Sequence, residues 1–371
     1  MVEMLNENVK APVYANAPLL RPLSGKMTNE CKSTGQWPLV IFSHGLGGSR
    51  TAYSHLCSRL AASGKVILAI EHRDGTGHAC ITRSWGDDGQ KVSRPIYYLK
   101  EDQVMWEDQP ADGAPMPFAL RAKQLEFRRK EIYTAYNTFH KFLRGEKTEL
   151  ETIDGRIIHN SWRIIDNDAQ TSPVRCEDVT LMGHSFGGCT VLSILSTPSS
   201  SEYEYLPTSQ ALVLDPWLEP LPIPGPMPHS RTGFGGGADS DDFDSDIIVK
   251  DGSVLPQILV INSETFTLWD EHFSRLQKVV KAWEAERIIT LVGSKHQSFS
   301  DFGILPLINT KEAIKLHERT VSISLAFLDY NLEQHLQEAP IRDMEAVVIG
   351  MKDNGKPKRK LLGNVGDIIV H

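Results

Sequence analysis

The sequence predicts an α/β fold with a mostly parallel central sheet flanked by helices. Short apolar runs of strand character recur along the chain, and amphipathic stretches with helical spacing separate them. This alternation is typical of βαβ units, in which neighbouring strands run parallel. Several of the apolar runs end in glycine-rich or charged residues. Because the carboxyl ends of parallel strands share one edge of a sheet, we expect a functional site along that edge.

The composition is that of an ordinary globular protein, with 40% hydrophobic and 23% charged residues among 371. We expect a single domain over residues 1–371. The net charge of -8 argues against a nucleic-acid partner, because phosphate binding requires an excess of Lys and Arg. No apolar run approaches the roughly 20 residues that a membrane helix needs, so no transmembrane segment is predicted.

Cysteine usage and the N-terminus bear on location. The five cysteines are an odd number without metal-like spacing, which indicates reduced thiols rather than a disulfide framework. Residues 1–8 lack the basic start and apolar core of a signal peptide. We therefore expect a soluble cytoplasmic protein, and peripheral contact with a lipid surface stays open.

The first βαβ unit is predicted over residues 37–71. Its strands are the apolar runs at 37–42 and 65–71, and residues 51–63 form the helix between them. The first strand leads into Ser43-His44-Gly45-Leu46-Gly47-Gly48. A strand followed by His-Gly-x-Gly-Gly matches the loop that gives an α/β-hydrolase one of its oxyanion-hole amides.

The next segments carry charge and irregular sequence. Glu71-His72-Arg73-Asp74 follows the second strand, and a network of ion pairs that fixes the loop is favoured over a role in the site. Residues 75–118 are predicted to be an irregular, cap-like segment. Residues 119–143 repeat apolar side chains at helical spacing and predict a long helix. The basic residues 128–130 are interpreted as its solvated face.

The segment from Val179 to Gly188 contains the strongest motif in the chain. An apolar strand ends in Gly183-His184-Ser185-Phe186-Gly187 and passes at once into a helix. This is the context of a nucleophile elbow, a strained strand-to-helix turn that holds a serine hydroxyl above the sheet. Ser185 is therefore the candidate nucleophile.

Two acids compete for the next role. Asp215 ends the strand predicted at 210–214, and Glu264 ends the one predicted at 258–264. Both would lie on the same sheet edge as Ser185. Residues 220–250 lie between them and predict a flexible insertion, because they are rich in Pro, Gly and Asp.

One histidine stands out among those that follow Ser185. His296 lies in a loop directly after the strand predicted at 287–293, where an imidazole can reach the serine. The chain order serine, acid, histidine is the one that α/β-hydrolases use. Residues 312–332 then predict the closing helix, and 338–371 form a tail in which the basic run 352–360 is interpreted as a solvated loop.

These residues predict acyl transfer. Ser185 would attack a carbonyl while His296 accepts its proton, and an acid, Asp215 or Glu264, would orient the imidazole. The backbone N–H groups of Leu46 and Phe186 would hold the developing oxyanion. This chemistry needs no cofactor and no metal.

Taken together and in order, seven segments between about residues 12 and 332 resemble the platelet-activating factor acetylhydrolase family. They are Phe42 to Gly47, Glu71 to Asp74, Gly183 to Gly188, Leu214 to Trp217, Ile261 to Glu264, His296 to Phe302 and Ser324 to Leu328.

The resemblance implies a calcium-independent phospholipase A2 that hydrolyses the short or oxidised sn-2 acyl group of phospholipids, a 1-alkyl-2-acetylglycerophosphocholine esterase. It also implies that Asp215 rather than Glu264 is the acid, and that Leu46 and Phe186 supply the oxyanion amides. Only about 36 residues precede the first strand. We therefore expect the family's N-terminal edge hairpin to be missing or reduced.

Two other functions stay open at this stage. A general carboxylesterase for small soluble esters would use the same three side chains. A non-catalytic lipid-binding relative would keep the site without turnover.

Overall fold

The computed structural model describes residues 13–20, 35–85, 88, 90–104, 118–152, 155–163, 172–197, 202–203, 205–223, 225, 255–283, 286–306 and 309–371. The strands in chain order are β1 (Trp37–Ser43), β2 (Val66–Ile70), β3 (Ala79–Trp85), β4 (Lys91–Tyr97), β5 (Val174–His184), β6 (Thr208–Leu214), β7 (Gln257–Ser263), β8 (Glu286–Leu291), β9 (Ile341–Arg342), β10 (Ala346–Met351), β11 (Pro357–Leu361) and β12 (Ile368–Val370). The α-helices are α1 (Ser54–Ala62), α2 (Ala119–Leu143), α3 (Phe186–Leu195), α4 (Glu264–Thr267), α5 (Asp270–Lys281), α6 (Lys311–Leu328) and α7 (Leu332–Gln337).

The central sheet has eight strands in the order β2-β1-β5-β6-β7-β8-β12-β9. Strands β2 to β8 of this sheet pair in parallel, and β12 pairs antiparallel with β8. The predicted α/β class is confirmed, and the parallel sheet with helices against it has the α/β-hydrolase architecture. Consequently β1, β5, β6, β7 and β8 all end at one edge of the sheet.

Apolar side chains fill both faces of the sheet. In β1, Leu39 and Ile41 join a core cluster with α2, α3 and α5, whereas Val40 and Phe42 join a second cluster with α1 and α6. Side chains alternate between the faces of a strand, so an apolar run with no polar alternation is what a strand covered on both sides requires. The sheet is thereby held rigidly beneath its loops.

The segment at 75–118 was predicted to be irregular, and that prediction is wrong for its described part. Strands β3 and β4 form an antiparallel hairpin from Ala79 to Tyr97. Its apolar residues do not alternate regularly with polar ones, and Pro95 lies within β4, so no strand period was evident from the sequence. Residues 105–117 lie outside the described part of the chain, and the cap-like role stays a prediction.

The basic residues 128–130 do not form a uniformly solvated face. Arg128 is fully buried and its Nε donates to Asp74 Oδ2 at 2.7 Å. The ion-pair interpretation of residues 71–74 agrees with the structure, since Arg73 Nε lies 3.0 Å from Glu131 Oε1 and Asp74 pairs with Arg128. Burial lowers the pKa of His72, so its Nδ1 contact with Glu131 Oε2 at 2.8 Å is a hydrogen bond of a neutral imidazole. This network joins the end of β2 to helix α2.

The tail beyond residue 338 contains four short strands, β9 to β12. Strand β12 extends the central sheet beside β8, and β10 pairs with β11 in a hairpin. The solvated-loop interpretation of 352–360 is wrong for residues 357–360, which belong to β11.

Two predicted features fall largely outside the described residues. Most of the insertion at 220–250 does so, as do residues 1–12 and 21–34, where the reduced N-terminal hairpin was expected. Among the described strands, β2 is outermost on that side of the central sheet. The single-domain assignment stays a prediction.

The described cysteines are free thiols, and Cys80, Cys176 and Cys189 are buried. Burial raises the pKa of Cys176 to about 12 and raises that of Cys189 as well. Among the described helices, none has both the length and the apolar character needed to cross a bilayer.

Candidate active site

Ser185 lies at the sharp turn between β5 and α3. Its φ of 56° and ψ of -118° are strained for a residue with a side chain. The turn is held because the Ser185 N–H donates to the Leu214 carbonyl at 2.9 Å. A Cβ at Gly183 would lie 2.3 Å from the Gly187 oxygen, and one at Gly187 would lie 2.0 Å from the Ser43 oxygen. Only glycine fits on either side of this serine.

The three side chains singled out in the sequence meet at the carboxyl edge of the sheet. His296 Nε2 lies 2.9 Å from Ser185 Oγ, and His296 Nδ1 lies 2.7 Å from Asp215 Oδ2. These residues follow β5, β6 and β8 and are separated by 81 and 111 positions in the chain. The arrangement can carry a proton from the hydroxyl to the imidazole while the carboxylate stabilises the imidazolium.

Asp215 is buried and held by its neighbours. Its φ is 46°, which places its carboxylate beside the end of β7. There Oδ1 accepts the Ser263 N–H at 2.7 Å, and Oδ2 accepts the Ser263 hydroxyl at 2.6 Å. Together with His296 Nδ1–H, these donors fix the carboxylate in one orientation, which also sets the tautomer of the imidazole.

The rival acid has a different set of partners. Glu264 opens α4, and its carboxylate oxygens accept the N–H groups of Gly293 at 2.6 Å and Leu361 at 3.1 Å. Glu264 therefore ties the loop after β8 to the C-terminal tail. The geometry favours Asp215 as the partner of His296.

Sequence reasoning missed a second histidine beneath the site. The Gly45 N–H donates to the Tyr53 hydroxyl oxygen at 3.3 Å, and that hydroxyl lies 2.7 Å from His184 Nδ1. His184 Nε2 lies 3.0 Å from the His296 carbonyl oxygen. Since a carbonyl only accepts, Nε2 carries the proton and Nδ1 accepts from Tyr53. This relay links the loop after β1 to the loop that carries His296.

Burial keeps this relay neutral. Burial, with a smaller effect of nearby His296, holds the pKa of His184 well below its ordinary value. Burial likewise raises the pKa of the Tyr53 hydroxyl. In the sequence, His184 was marked only by its place in the Gly-x-Ser-x-Gly motif, directly before Ser185. Nothing in the sequence pointed to Tyr53.

The ring of His296 packs against two aromatic rings, those of Phe266 and His184, and is still partly exposed. Phe266 stacks on it with centroids 4.4 Å apart and planes 6° apart. The His296 side chain is 31% exposed, whereas that of Asp215 is fully buried. A substrate can therefore approach the imidazole while its carboxylate partner stays shielded from water.

The two predicted oxyanion residues lie next to Ser185. Phe186 is the first residue of α3, so its N–H has no acceptor within the helix. Leu46 belongs to the loop after β1, which packs so closely that a Cβ at Gly45 would lie 2.9 Å from Ser185 Cβ. The oxyanion role of both residues stays a prediction.

Arg128 supports that loop from below. Its Nη1 donates to the His44 carbonyl at 2.6 Å, and its guanidinium lies 4.6 Å from the centre of the Phe186 ring. Burial and, secondarily, the charge of Arg128 lower the pKa of His44 to about 4. His44 is therefore neutral at physiological pH, and the guanidinium of Arg128 is paired with the Asp74 carboxylate.

One cluster among the described residues has metal-ligand types close together. Ligand atoms of His184, Asp215 and His296 lie within 4.8 Å of one another. His296 Nδ1 is hydrogen-bonded to Asp215. His184 uses Nδ1 for a hydrogen bond with the Tyr53 hydroxyl and Nε2 for one with the His296 carbonyl. A cation would have to displace these bonds, so the donor set fits proton transfer better than metal binding.

Comparison with known proteins gives one family. The family model described as platelet-activating factor acetylhydrolase, isoform II, matches residues 4–224 and 250–338. A platelet-activating factor acetylhydrolase of Gallus gallus is 28% identical over 267 residues, which are 72% of this chain and 53% of that protein. The Canis lupus familiaris protein of that name is 29% identical over 272 residues, 72% of this chain and 49% of that protein.

A third protein of that name, from Cavia porcellus, is 25% identical over 303 residues, which are 81% of this chain and 54% of that protein. The chain thus spans about half the length of the curated relatives it matches. The matched residues contain Ser185, Asp215 and His296.

Proposed function

The chain belongs to the platelet-activating factor acetylhydrolase family, and on that premise we propose that it is a serine esterase acting on phospholipids. Its substrates are those with a short or oxidised sn-2 acyl group, such as platelet-activating factor, and no calcium takes part. The observation that carries the proposal is the contact of His296 Nε2 with Ser185 Oγ at 2.9 Å, backed by Asp215 at 2.7 Å.

Acylation is the first half of the proposed reaction. Ser185 Oγ attacks the sn-2 carbonyl carbon as its proton passes to His296 Nε2. The carbonyl oxygen becomes an oxyanion held by the N–H groups of Leu46 and Phe186; each such donor typically contributes about 10²–10³ in rate. The C–O bond to the glycerol then breaks, and His296 returns the proton to the departing lysophospholipid oxygen. The acyl group remains on Ser185.

Deacylation repeats these steps with water. His296 takes a proton from water as the hydroxide attacks the acyl carbon, and the bond to Ser185 Oγ breaks. The proton returns to Oγ, and the short carboxylic acid leaves. Asp215 stays ionised throughout and stabilises the transient imidazolium.

The proposal extends to location and substrate presentation. Free thiols at four described cysteines support a reducing compartment, and we place the protein in the cytoplasm with its substrate presented at a lipid surface. Fractionation of cells followed by immunodetection tests this placement. Recovery in a secretory compartment would contradict it.

The deciding experiment is hydrolysis of phospholipids that differ only in sn-2 length, from acetyl to palmitoyl. We expect kcat/KM to be highest for the short chains. A fluorophosphonate should label the protein and should fail to label Ser185→Ala. Ser196→Ala is the matched control, since Ser196 Oγ bonds only carbonyls of its own helix, and it should label normally.

Two outcomes would replace the proposal. Rapid turnover of aryl esters without turnover of any phospholipid would indicate a general carboxylesterase. Failure of the folded protein to react with the fluorophosphonate would indicate a non-catalytic lipid-binding relative.

A further inference from the structure

The hairpin of β10 and β11 exposes an unusual number of apolar side chains. Every residue of β10 is exposed, and the exposed fraction reaches 63% at Val348, 52% at Ile349 and 66% at Met351. Met344 and Val347 add to this apolar surface. A two-stranded hairpin that leaves its apolar side chains in water gains little from them, so a surface of this kind marks an interaction site.

The hairpin is fixed to the same edge of the sheet as the candidate active site. Leu361, at the end of β11, is buried against Val292 and Leu268, and its N–H donates to Glu264 Oε1 at 3.1 Å. Arg359 Nη2 donates to the Leu268 carbonyl at 2.7 Å. These contacts lie just beyond the ends of β7 and β8. Leu268 is two residues from Phe266, the ring that stacks on His296.

The free part of the hairpin carries an excess of cationic side chains, four lysines against the one carboxylate of Asp353. The exposed residues Lys352, Lys356, Lys358 and Lys360 form no ion pair within the described part of the chain. Val347 and Lys360 are cross-strand partners, so an apolar and a cationic side chain share one face. The chain as a whole has a net charge of -8, which makes this patch a local exception.

We infer that the β10–β11 hairpin docks the active-site edge onto a bilayer that contains anionic phospholipid. Apolar side chains enter the interface while lysines meet the headgroup charge, each lysine contributing about fivefold to partitioning. A second copy of the chain is a poorer occupant, because a two-fold contact between hairpins would bring the lysine clusters together. The family match ends at residue 338, so the β10–β11 hairpin lies outside the part of the chain that the family model covers.

The inference rests on the proposed function, and the experiment distinguishes a failure of the membrane contact from a failure of the esterase activity. Binding is measured by cosedimentation of the Ser185→Ala protein with vesicles of phosphatidylcholine alone or with about one third phosphatidylserine. We expect strong binding only to the anionic vesicles, weakened by salt. Lys358→Gln with Lys360→Gln should lower the partition coefficient at least about tenfold. Val348→Ser should also lower it, because an apolar contact is lost.

Each variant has a matched control at the opposite end of the sheet. Lys278→Gln with Lys281→Gln removes the same charge from the end of α5, and Ile157→Ser removes a similarly exposed apolar side chain. Both should bind vesicles as the parent does. In a background with Ser185 intact, the hairpin variants should hydrolyse soluble p-nitrophenyl acetate at the parental rate, which also verifies their fold.

Equal vesicle binding by parent and hairpin variants, or no binding by the parent, would overturn the inference. So would a change from dimer to monomer in Val348→Ser with vesicle binding unchanged, which would make the hairpin a contact between copies. Vesicle binding that depends on the hairpin, in a protein that cleaves no phospholipid, would support the inference while the proposed function fails.

Discussion

At the scale of single residues, the site depends on two strained backbones. Ser185 and Asp215 both have positive φ, at 56° and 46°, and each is held there by its backbone N–H, which donates to the carbonyl of Leu214 or Ile261 at 2.9 Å. Such conformations cost about 1–3 kcal/mol each and persist only where the surroundings impose them. The surrounding sheet therefore stabilises two unfavourable backbone conformations, which direct the hydroxyl and the carboxylate toward one imidazole.

Exchanging the two candidate acids for amides should separate their roles. Asp215→Asn should lower kcat by about 10³–10⁴, because an amide neither sets the imidazole tautomer nor stabilises the imidazolium. Glu264→Gln should keep kcat within about tenfold but lower the free energy of unfolding by about 1–3 kcal/mol, because one backbone N–H loses its acceptor. Ester hydrolysis and urea unfolding measure these effects, and equal or reversed losses in kcat would reassign the acid.

Residue identities and chain order were enough to predict Ser185 and His296 and to narrow the acid to Asp215 or Glu264; the family resemblance then ranked Asp215 first. The supporting residues were not predictable, because their partners are distant in the chain. Tyr53 meets His184 across 131 positions, and Ser263 meets Asp215 across 48. No local pattern encodes such contacts.

At the scale of elements, α2 joins the core to the loop after β1. The sequence predicted its bounds at 119–143 correctly but misplaced Arg128. Position 128 lies three residues after Leu125 and four before Ile132, so helical spacing puts it on the buried face with them. The guanidinium is tolerated there because Asp74 and the His44 carbonyl satisfy it.

Removing this buried cation should be costly. Arg128→Met should lower the free energy of unfolding by about 3–5 kcal/mol, because the Asp74 carboxylate is left buried without its partner. Arg129→Met, one residue away, removes a contact to Ser193 Oγ and should cost less than about 1.5 kcal/mol. Urea unfolding compares the two. Similar losses in both variants would mean that burial of the Arg128–Asp74 pair does not set the cost.

At the scale of the whole molecule, the parallel strands were predictable because each is an apolar run covered on both faces. The antiparallel additions were not. Strand β12 pairs with β8 after an intervening stretch of more than 75 residues, and it has only three residues. In the β3–β4 hairpin, apolar and polar side chains do not alternate regularly. Both arise from tertiary contacts rather than from local pattern.

The buried histidines should make the fold sensitive to acid. Burial is the main cause that lowers the pKa of five buried histidines: His44, His72, His184, His272 and His317. Unfolded histidine titrates near about 6.5, so below that pH the unfolded state binds protons that the folded state does not. Stability is therefore fully present above about pH 6.5 and falls as the pH drops toward about 4, the pKa of His44 and His272 in the fold.

Each such histidine should cost about 1.4 kcal/mol per pH unit in that window. Urea unfolding at about pH 7.5 and about pH 5.5 measures how steeply the free energy of unfolding depends on pH. In His272→Gln, the number of protons taken up on unfolding should fall by about one, and the slope should fall accordingly. A free energy of unfolding that stays level between these two pH values would show that the histidines take up protons without unfolding.

Alkylation of the buried cysteines measures how often the protein opens locally. A thiol is alkylated as the thiolate, and with a pKa of about 12 the Cys176 thiol is almost wholly protonated at neutral pH. Cys189 lies in the first turn of α3, directly beneath the elbow, and is equally shielded. Iodoacetamide can capture these two sulfurs only during excursions that expose them. The alkylation rate at Cys189 therefore reports how often the elbow itself comes apart, while the rest of the chain can remain folded.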